Sequence, residues 1–204
     1  AKDAVRLDET GLALAGLARF GGGGFPSGTA AMIGRSGVIE MQPYQAKGAR
    51  LSFTPIRFAL GRAGLSLATV ATLDGPLAGG RVTGLSAPVR VIAGQGMPLG
   101  CLPVSFRKLS TGTLQLGPSR LDTCVTASDI VVRAPRLAGT MGGSPLKLSA
   151  QSARYVFSDG RFSLGNTEVH MSGVSQASVL SADSLSGRST ASGLAGAFAG
   201  AEGH

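Results

Sequence analysis

Tyr155-Val156-Phe157-Ser158-Asp159-Gly160-Arg161-Phe162-Ser163-Leu164 decides the fold class. Apolar residues occupy every second position on both sides of Asp159-Gly160, a dipeptide suited to a tight hairpin because its residues tolerate positive φ. A period of two describes a strand with one apolar and one wet face. The same period recurs upstream at Leu146, Leu148 and Ala150, and downstream at Val169 and Met171. Further out it marks Leu12 and Leu14, Leu51 and Phe53, Ile56, Phe58 and Leu60, Leu65 and Leu67, and Leu114 and Leu116. Ser, Thr, Lys, Arg, Gln or His stand between most of them. Asp74-Gly75-Pro76, Gly79-Gly80, Gly94-Gln95-Gly96, Gly117-Pro118 and Gly142-Gly143-Ser144-Pro145 read as turns, at the spacing of about 8–12 residues expected of all-β folds.

Helices find little support. The best candidate, from Asp8 to Arg19, contains Gly11 and Gly16. The Ala-rich stretch 185–200 contains Gly187, Gly193, Gly196 and Gly200, each costing about 1 kcal/mol in a helix interior. Gly21 to Gly24, followed by Phe25-Pro26-Ser27-Gly28, reads as a flexible joint at 21–28. The expectation is one β-rich segment over residues 1–204. The start at Ala1 without Met, and the end amid the glycine-alanine pattern after Gly193, read as a portion of a longer chain.

Composition narrows the function classes. Glycine contributes 32 of 204 residues, against 8 Phe, 2 Tyr and no Trp, so apolar burial rests on Leu, Val and Ala. That suits thin, repetitive burial better than one thick core. Glycine has no period of three, which excludes collagen, and no apolar run is long enough for a spanning helix. The net charge of +8 comes from singly scattered residues such as Arg50, Arg57, Arg62, Arg81 and Arg90. No basic run or aromatic stacking platform accompanies them, so nucleic acid is not the expected partner.

Catalytic constellations are missing. No G-x-S-x-G or Walker A pattern occurs, and Gly94-Gln95-Gly96 lacks the third glycine of a dinucleotide loop. Asp159 reads as a turn residue and His170 as a wet-face residue. Two histidines, His170 and His204, are too few for a zinc centre with Cys101 and Cys124. The expectation is no enzyme, no cofactor and no metal. Cys101 and Cys124 read either as buried free thiols or as a disulfide between neighbouring strands, which would stabilise by roughly 3 kcal/mol and imply an oxidising compartment.

What remains is the apolar face. The pattern alone leaves two architectures open and favours the first: a β-sandwich with a filled core, or a curled, mostly antiparallel, glycine-punctuated sheet forming an elongated groove or solenoid-like trough. On the second reading the groove is lined by Leu51, Phe53, Ile56, Phe58, Leu65, Leu67, Leu114, Leu116, Leu146, Leu148, Tyr155, Phe157, Phe162, Leu164, Val169 and Met171.

Several phrases tip the balance toward the groove. Gly100-Cys101-Leu102-Pro103-Val104-Ser105-Phe106, Leu114-Gln115-Leu116-Gly117-Pro118-Ser119-Arg120-Leu121 and Cys124 resemble the middle region of YdbH-family intermembrane phospholipid transport proteins. Arg136 to Leu146, Ser152-Ala153-Arg154-Tyr155 and Gly193 to Gly200 continue the likeness, which covers about residues 75–203. The resemblance implies a periplasm-spanning, inner-membrane-anchored protein related to TamB and AsmA-like proteins. Its hydrophobic groove would carry phospholipid acyl chains toward the outer membrane, where a small lipoprotein would extend the sheet. A structural or adhesive bacterial β-solenoid is the alternative.

Overall fold

The computed structural model describes residues 4–8, 11–22, 25–62, 64–77, 80–93, 100–173, 177–190 and 193–203. Nineteen strands account for most of them, and no helix occurs among them. Contacts divide the chain into two compact units, residues 1–73 with 87–98 and residues 74–86 with 99–204.

The first unit holds β1 (Ala4–Asp8), β2 (Gly11–Gly22), β3 (Phe25–Ile33), β4 (Ser36–Met41), β5 (Tyr44–Ala46), β6 (Ala49–Phe53) and β7 (Ile56–Gly61). It also holds most of β8 (Gly64–Leu77) and the later half of β9 (Gly80–Ile92). β1 to β4 pair antiparallel in succession, β4 then pairs with β7 and β5 with β6 as halves of longer strands, and β7 pairs with β8, while residues 11–19, within the helix candidate, are strand. Leu12 and Leu14 pair with Leu7 and Val5 in an alternating ladder, which Gly11 and Gly16 tolerate better than a helix would. Residues 21–22 and 25–28, read as a joint, are strand in the β2–β3 hairpin, while Gly23 and Gly24 lie outside the described residues.

The second unit holds the remainder of β8 and β9, then β10 (Gly100–Phe106), β11 (Lys108–Thr111), β12 (Leu114–Leu116), β13 (Ser119–Val125), β14 (Asp129–Arg133) and β15 (Arg136–Met141). Four long strands follow: β16 (Ser144–Val156), β17 (Arg161–Ser172), β18 (Ala177–Thr190) and β19 (Gly193–Gly203). The short strands are halves of long ones. β10 pairs with β13 and β11 with β12, in one uninterrupted residue count from Cys101↔Cys124 through Phe106↔Ser119 to Leu109↔Leu116. The same holds for β14 and β15 against β16, from Asp129↔Val156 to Met141↔Ser144. Gly117-Pro118 is therefore an interruption within a strand, not a turn, and Asp74-Gly75-Pro76 lies inside β8. Gly142-Gly143 does turn the chain, with φ of 58° and 88°. Gly94-Gln95-Gly96 lies outside the described residues. Within each unit the described strands pair antiparallel in a meander of long and half-length strands.

The interruptions line up. Ala134 lies opposite Gln151, donating its N–H to the Gln151 carbonyl at 3.0 Å. The registers then step through Asn166 and Asp183 to Gly200, each omitted from the regular pairing. Ala134, Asn166 and Gly200, on alternate strands of this row, have positive φ of 40°, 46° and 60°. Asn166 Nδ2 donates to Gln151 Oε1 at 2.5 Å, and the Asp183 carboxyl lies against Gly200.

At this row the inward phase slips by one residue. In β16 Leu146, Leu148 and Ala150 turn inward, Gln151 and Ser152 are both exposed, and Ala153 and Tyr155 take over. In β17 the slip runs from Phe162 and Leu164 to Thr167, Val169 and Met171. An inserted residue in one strand alone would turn half its apolar side chains outward. Slipping every strand together keeps them on one side.

The first unit repeats the device at Thr54-Pro55, where both residues are exposed between Phe53 and Ile56. Proline has no N–H for the ladder. The Thr54 hydroxyl accepts the Val70 N–H at 2.9 Å, and Thr69 Oγ1 donates to the Thr54 carbonyl at 2.8 Å.

Aromatic rings cover glycines on this face. A Cβ on Gly187 would lie 2.6 Å from the Phe162 ring and 2.1 Å from the Ala195 carbonyl oxygen, while one on Gly203 would meet nothing within 4 Å. Gly187→Val is expected to cost about 1–3 kcal/mol, the range for overpacking a filled site, and Gly203→Val to leave stability unchanged. Urea denaturation of the two variants checks this.

Candidate functional site

The expected lining residues gather on one face within each unit. In the first, Phe58 pairs with Leu67 and Gly37, and Leu51 pairs with Tyr44. In the second, a single row crosses six strands through Val82, Leu109, Leu116, Gly139, Leu146 and Met171. Parallel rows carry Leu148 with Val169, Leu164 with Ala153 and Leu185, and Tyr155 with Phe162. Leu114 pairs with Met141 at the strand ends. Register thus brings together residues that sequence separates by dozens of positions.

These faces are incompletely covered. Among the sixteen expected lining residues only Leu116 and Leu146 are buried, at 6% and 3% exposure. Leu51, Phe53, Ile56, Phe58, Leu65, Leu67, Leu114, Leu148, Tyr155, Phe162, Leu164, Val169 and Met171 are half-buried. A filled sandwich core would bury most of them. Phe157 departs from the expectation. The hairpin at Asp159-Gly160 has a four-residue loop with positive φ at Gly160 only, so Phe157 falls beyond β16 and is 48% exposed. Its ring meets that of Tyr155 edge to face at 6.3 Å.

A largely apolar cleft of about 750 Å³ belongs to the first unit. Phe58 and Leu67 contribute to it, but most of its wall comes from residues that alternation assigns to the wet face. Ala31, Val38, Arg57 and Ala68 form one cross-strand row, and Ile33, Ser36, Ala59 and Ser66 the next. Ile33 is 84% exposed and Val38 36%. Sequence reasoning missed this surface. Its signal was present in Met32-Ile33, Val38-Ile39, Phe58-Ala59-Leu60 and Leu67-Ala68, where the polar half of the alternation is lost and both faces are apolar.

Polar side chains mostly support the sheet. Asp129, 5% exposed, ties the turn after β13 to β16. The Thr126 hydroxyl donates to its carboxylate, and Arg154 binds the other oxygen through Nε at 2.7 Å. The Thr126 hydrogen bond, then Arg154, holds the Asp129 carboxyl below the usual range. Asp159 is lowered first by the Arg161 backbone N–H, at 3.1 Å, and then by the Arg161 side chain. His170 Nε2 lies 2.5 Å from Glu168 Oε1 on the exposed face. Gly84 donates its N–H to Asp74 Oδ1 at 2.6 Å, and Arg107 lies over Gly84 with its guanidinium 3.7 Å from the same oxygen. Among the described residues no group of three or more His, Cys, Asp or Glu is placed to hold a metal ion. His204 lies outside them.

Cys101 and Cys124, directly opposite on β10 and β13, form a disulfide. Comparison with protein-family models, curated proteins and solved structures finds no match.

Two stability measurements follow from these contacts. Cys101→Ser with Cys124→Ser is expected to lower unfolding free energy by roughly 3 kcal/mol, the loop-closure value, in urea denaturation. Asp129 and Asp159 have depressed folded-state pKa values, so their stabilisation is present above the unfolded value of about 3.9 and is lost as pH falls through the folded value. Asp129→Asn is expected to be less stable at neutral pH and to lose stability less steeply from pH 4 to pH 2, read by thermal melts across that range.

Proposed function

We propose that this chain is a lipid-facing segment of a periplasmic phospholipid conduit, acting by holding and passing acyl chains rather than by catalysis. The observation that carries the reading is the apolar face that stays half-buried strand after strand within each unit. Apolar surface left uncovered costs about 25 cal/mol per Å² relative to burial, and acyl chains recover that at about 0.8 kcal/mol per CH₂. An acyl chain requires length and low polarity, not a fixed constellation of polar groups, and cross-strand rows of Leu, Val, Met and Gly supply both. The likeness of residues 75–203 to YdbH-family proteins supports the same reading.

The disulfide supports an oxidising compartment, because bonded cysteines persist in the periplasm and are rare in the cytosol. In this reading the full-length protein is anchored in the inner membrane and meets a small outer-membrane lipoprotein at its far end. Nucleic acid has no place in it.

Phospholipid is expected to co-purify with the chain secreted to a bacterial periplasm, and organic extraction with mass spectrometry detects it. A photoreactive amino acid at Leu148 or Leu164 is expected to cross-link to lipid, whereas one at Lys147 or Ser163, on the opposite face, is not. Protein free of phospholipid, or equal cross-linking from both faces, would sink the reading.

A further inference from the structure

Every ion pair among the described residues lies in the second unit, on Arg107, Arg154, Arg161 and His170. In the first unit, Arg57 and Arg90 are both exposed, both line the 750 Å³ cleft, and neither has an ion-pair partner. From Phe25 to Leu73 the sole acid is Glu40, on β4 at the end away from Ile33, where it pairs with Thr29. Arg57 stands directly between Val38 and Ala68 in its cross-strand row. Two guanidinium groups are thus set in a mostly apolar wall, interrupted otherwise by Ser36 and Ser66, with no ion-pair partner among the described residues. Small residues, Ala31, Ala59 and Ala68, keep the wall low and leave room above the backbone. The volume is within the range of about 300–1,000 Å³ typical of small-ligand sites.

We propose that this cleft binds the acyl chain of an anionic amphiphile, with Arg57 and Arg90 pairing to its acidic head. Ile33, Val38, Ala59 and Ile92 take the chain. The guanidinium groups donate hydrogen bonds to carboxylate or phosphate oxygens, which they match in geometry and charge. The cleft thereby selects anionic over neutral chains. The inference rests on the lipid-binding reading of the chain but places this ligand mostly on the face opposite the expected lining residues, and it adds charge selection, which that reading does not require.

The test uses the whole chain and two fluorescent probes of one shape, cis-parinaric acid and its methyl ester, titrated at neutral pH. The acid is expected to bind about tenfold tighter than the ester, the scale of one charge-assisted hydrogen bond at a partly exposed site. In Arg57→Gln/Arg90→Gln the two are expected to bind alike, at the ester's affinity. Ala59→Trp, filling the cleft, is expected to weaken both, with far-UV circular dichroism confirming the β-sheet of each variant. Equal binding of acid and ester to the native chain overturns the charge selection, while the cross-linking at Leu148 and Leu164 judges the conduit reading separately. A preference for the acid that survives in the double arginine variant, or affinities that Ala59→Trp leaves unmoved, places any binding elsewhere and overturns the site. Failure of both probes to bind overturns it as well.

Discussion

One constraint governs the second unit: a strand that changes phase must do so beside neighbours that change phase with it. Side chains alternate with a period of two, so a single extra residue sends everything after it to the other face. The row from Ala134 through Gln151, Asn166 and Asp183 to Gly200 meets that requirement strand by strand. Positive φ falls on alternate members, Ala134, Asn166 and Gly200, and a polar side chain beside each absorbs the irregularity. Proline takes its place at the same kind of position. Pro55, Pro118 and Pro135 all sit in the gaps between collinear half-strands, where the ladder can spare an N–H. Remove the alignment and Leu146 and Tyr155 could not share a face.

Glycine does a second job at the regular positions. The chain has few aromatic rings, and two of them are spent covering glycines in neighbouring strands: Phe58 over Gly37, and Phe162 over Gly187 and Gly196. A ring reaching over a glycine shields backbone that has no side chain of its own, and it occupies the space a Cβ would need. The face gains cover without thickness. That is how so low an aromatic content goes with a sheet most of whose expected lining side chains are half-buried.

Local pattern made the strands legible but not their continuity. Leu146-Lys147-Leu148 and Phe162-Ser163-Leu164 announce strands and their inward faces directly. Gly117-Pro118 and Gly142-Gly143 look alike as breakers, yet one interrupts a strand that continues and the other reverses it. What separates them is the register of strands elsewhere in the chain, Asp122↔Arg133 and Leu116↔Gly139 keeping one count across the gap. Alternation broken between Ala150 and Tyr155 reads, in sequence, as one strand ending and another beginning. In residues 11–19 alanine and leucine favour a helix locally, Gly11 and Gly16 oppose it, and pairing with both β1 and β3 makes a strand. The half-buried apolar strand positions were legible, Phe157 excepted, because they lie on a regular alternation. The cleft was not, because its wall is where alternation fails.

The two units resolve their charge differently, and the difference bears on what each face meets. In the second unit the exposed face carries Arg154 with Asp129 and Arg161 with Asp159, and the Asp74–Arg107 pair closes over Gly84. The Arg161–Asp159 and Arg107–Asp74 pairs are partly exposed and contribute little energy, whereas Asp129 is buried beneath Arg154. The first unit has Arg35, Lys47, Arg50, Arg57 and Arg62 against Glu40 across residues 25–73. Within residues 25–73 one carboxylate stands against five cations, so solvent, counter-ions or an anionic ligand can relieve their repulsion. Where the same surface also exposes Ile33 and Val38, water is the poorest of the three neighbours. A face with both deficits is best matched by a molecule that is apolar along its length and acidic at one end.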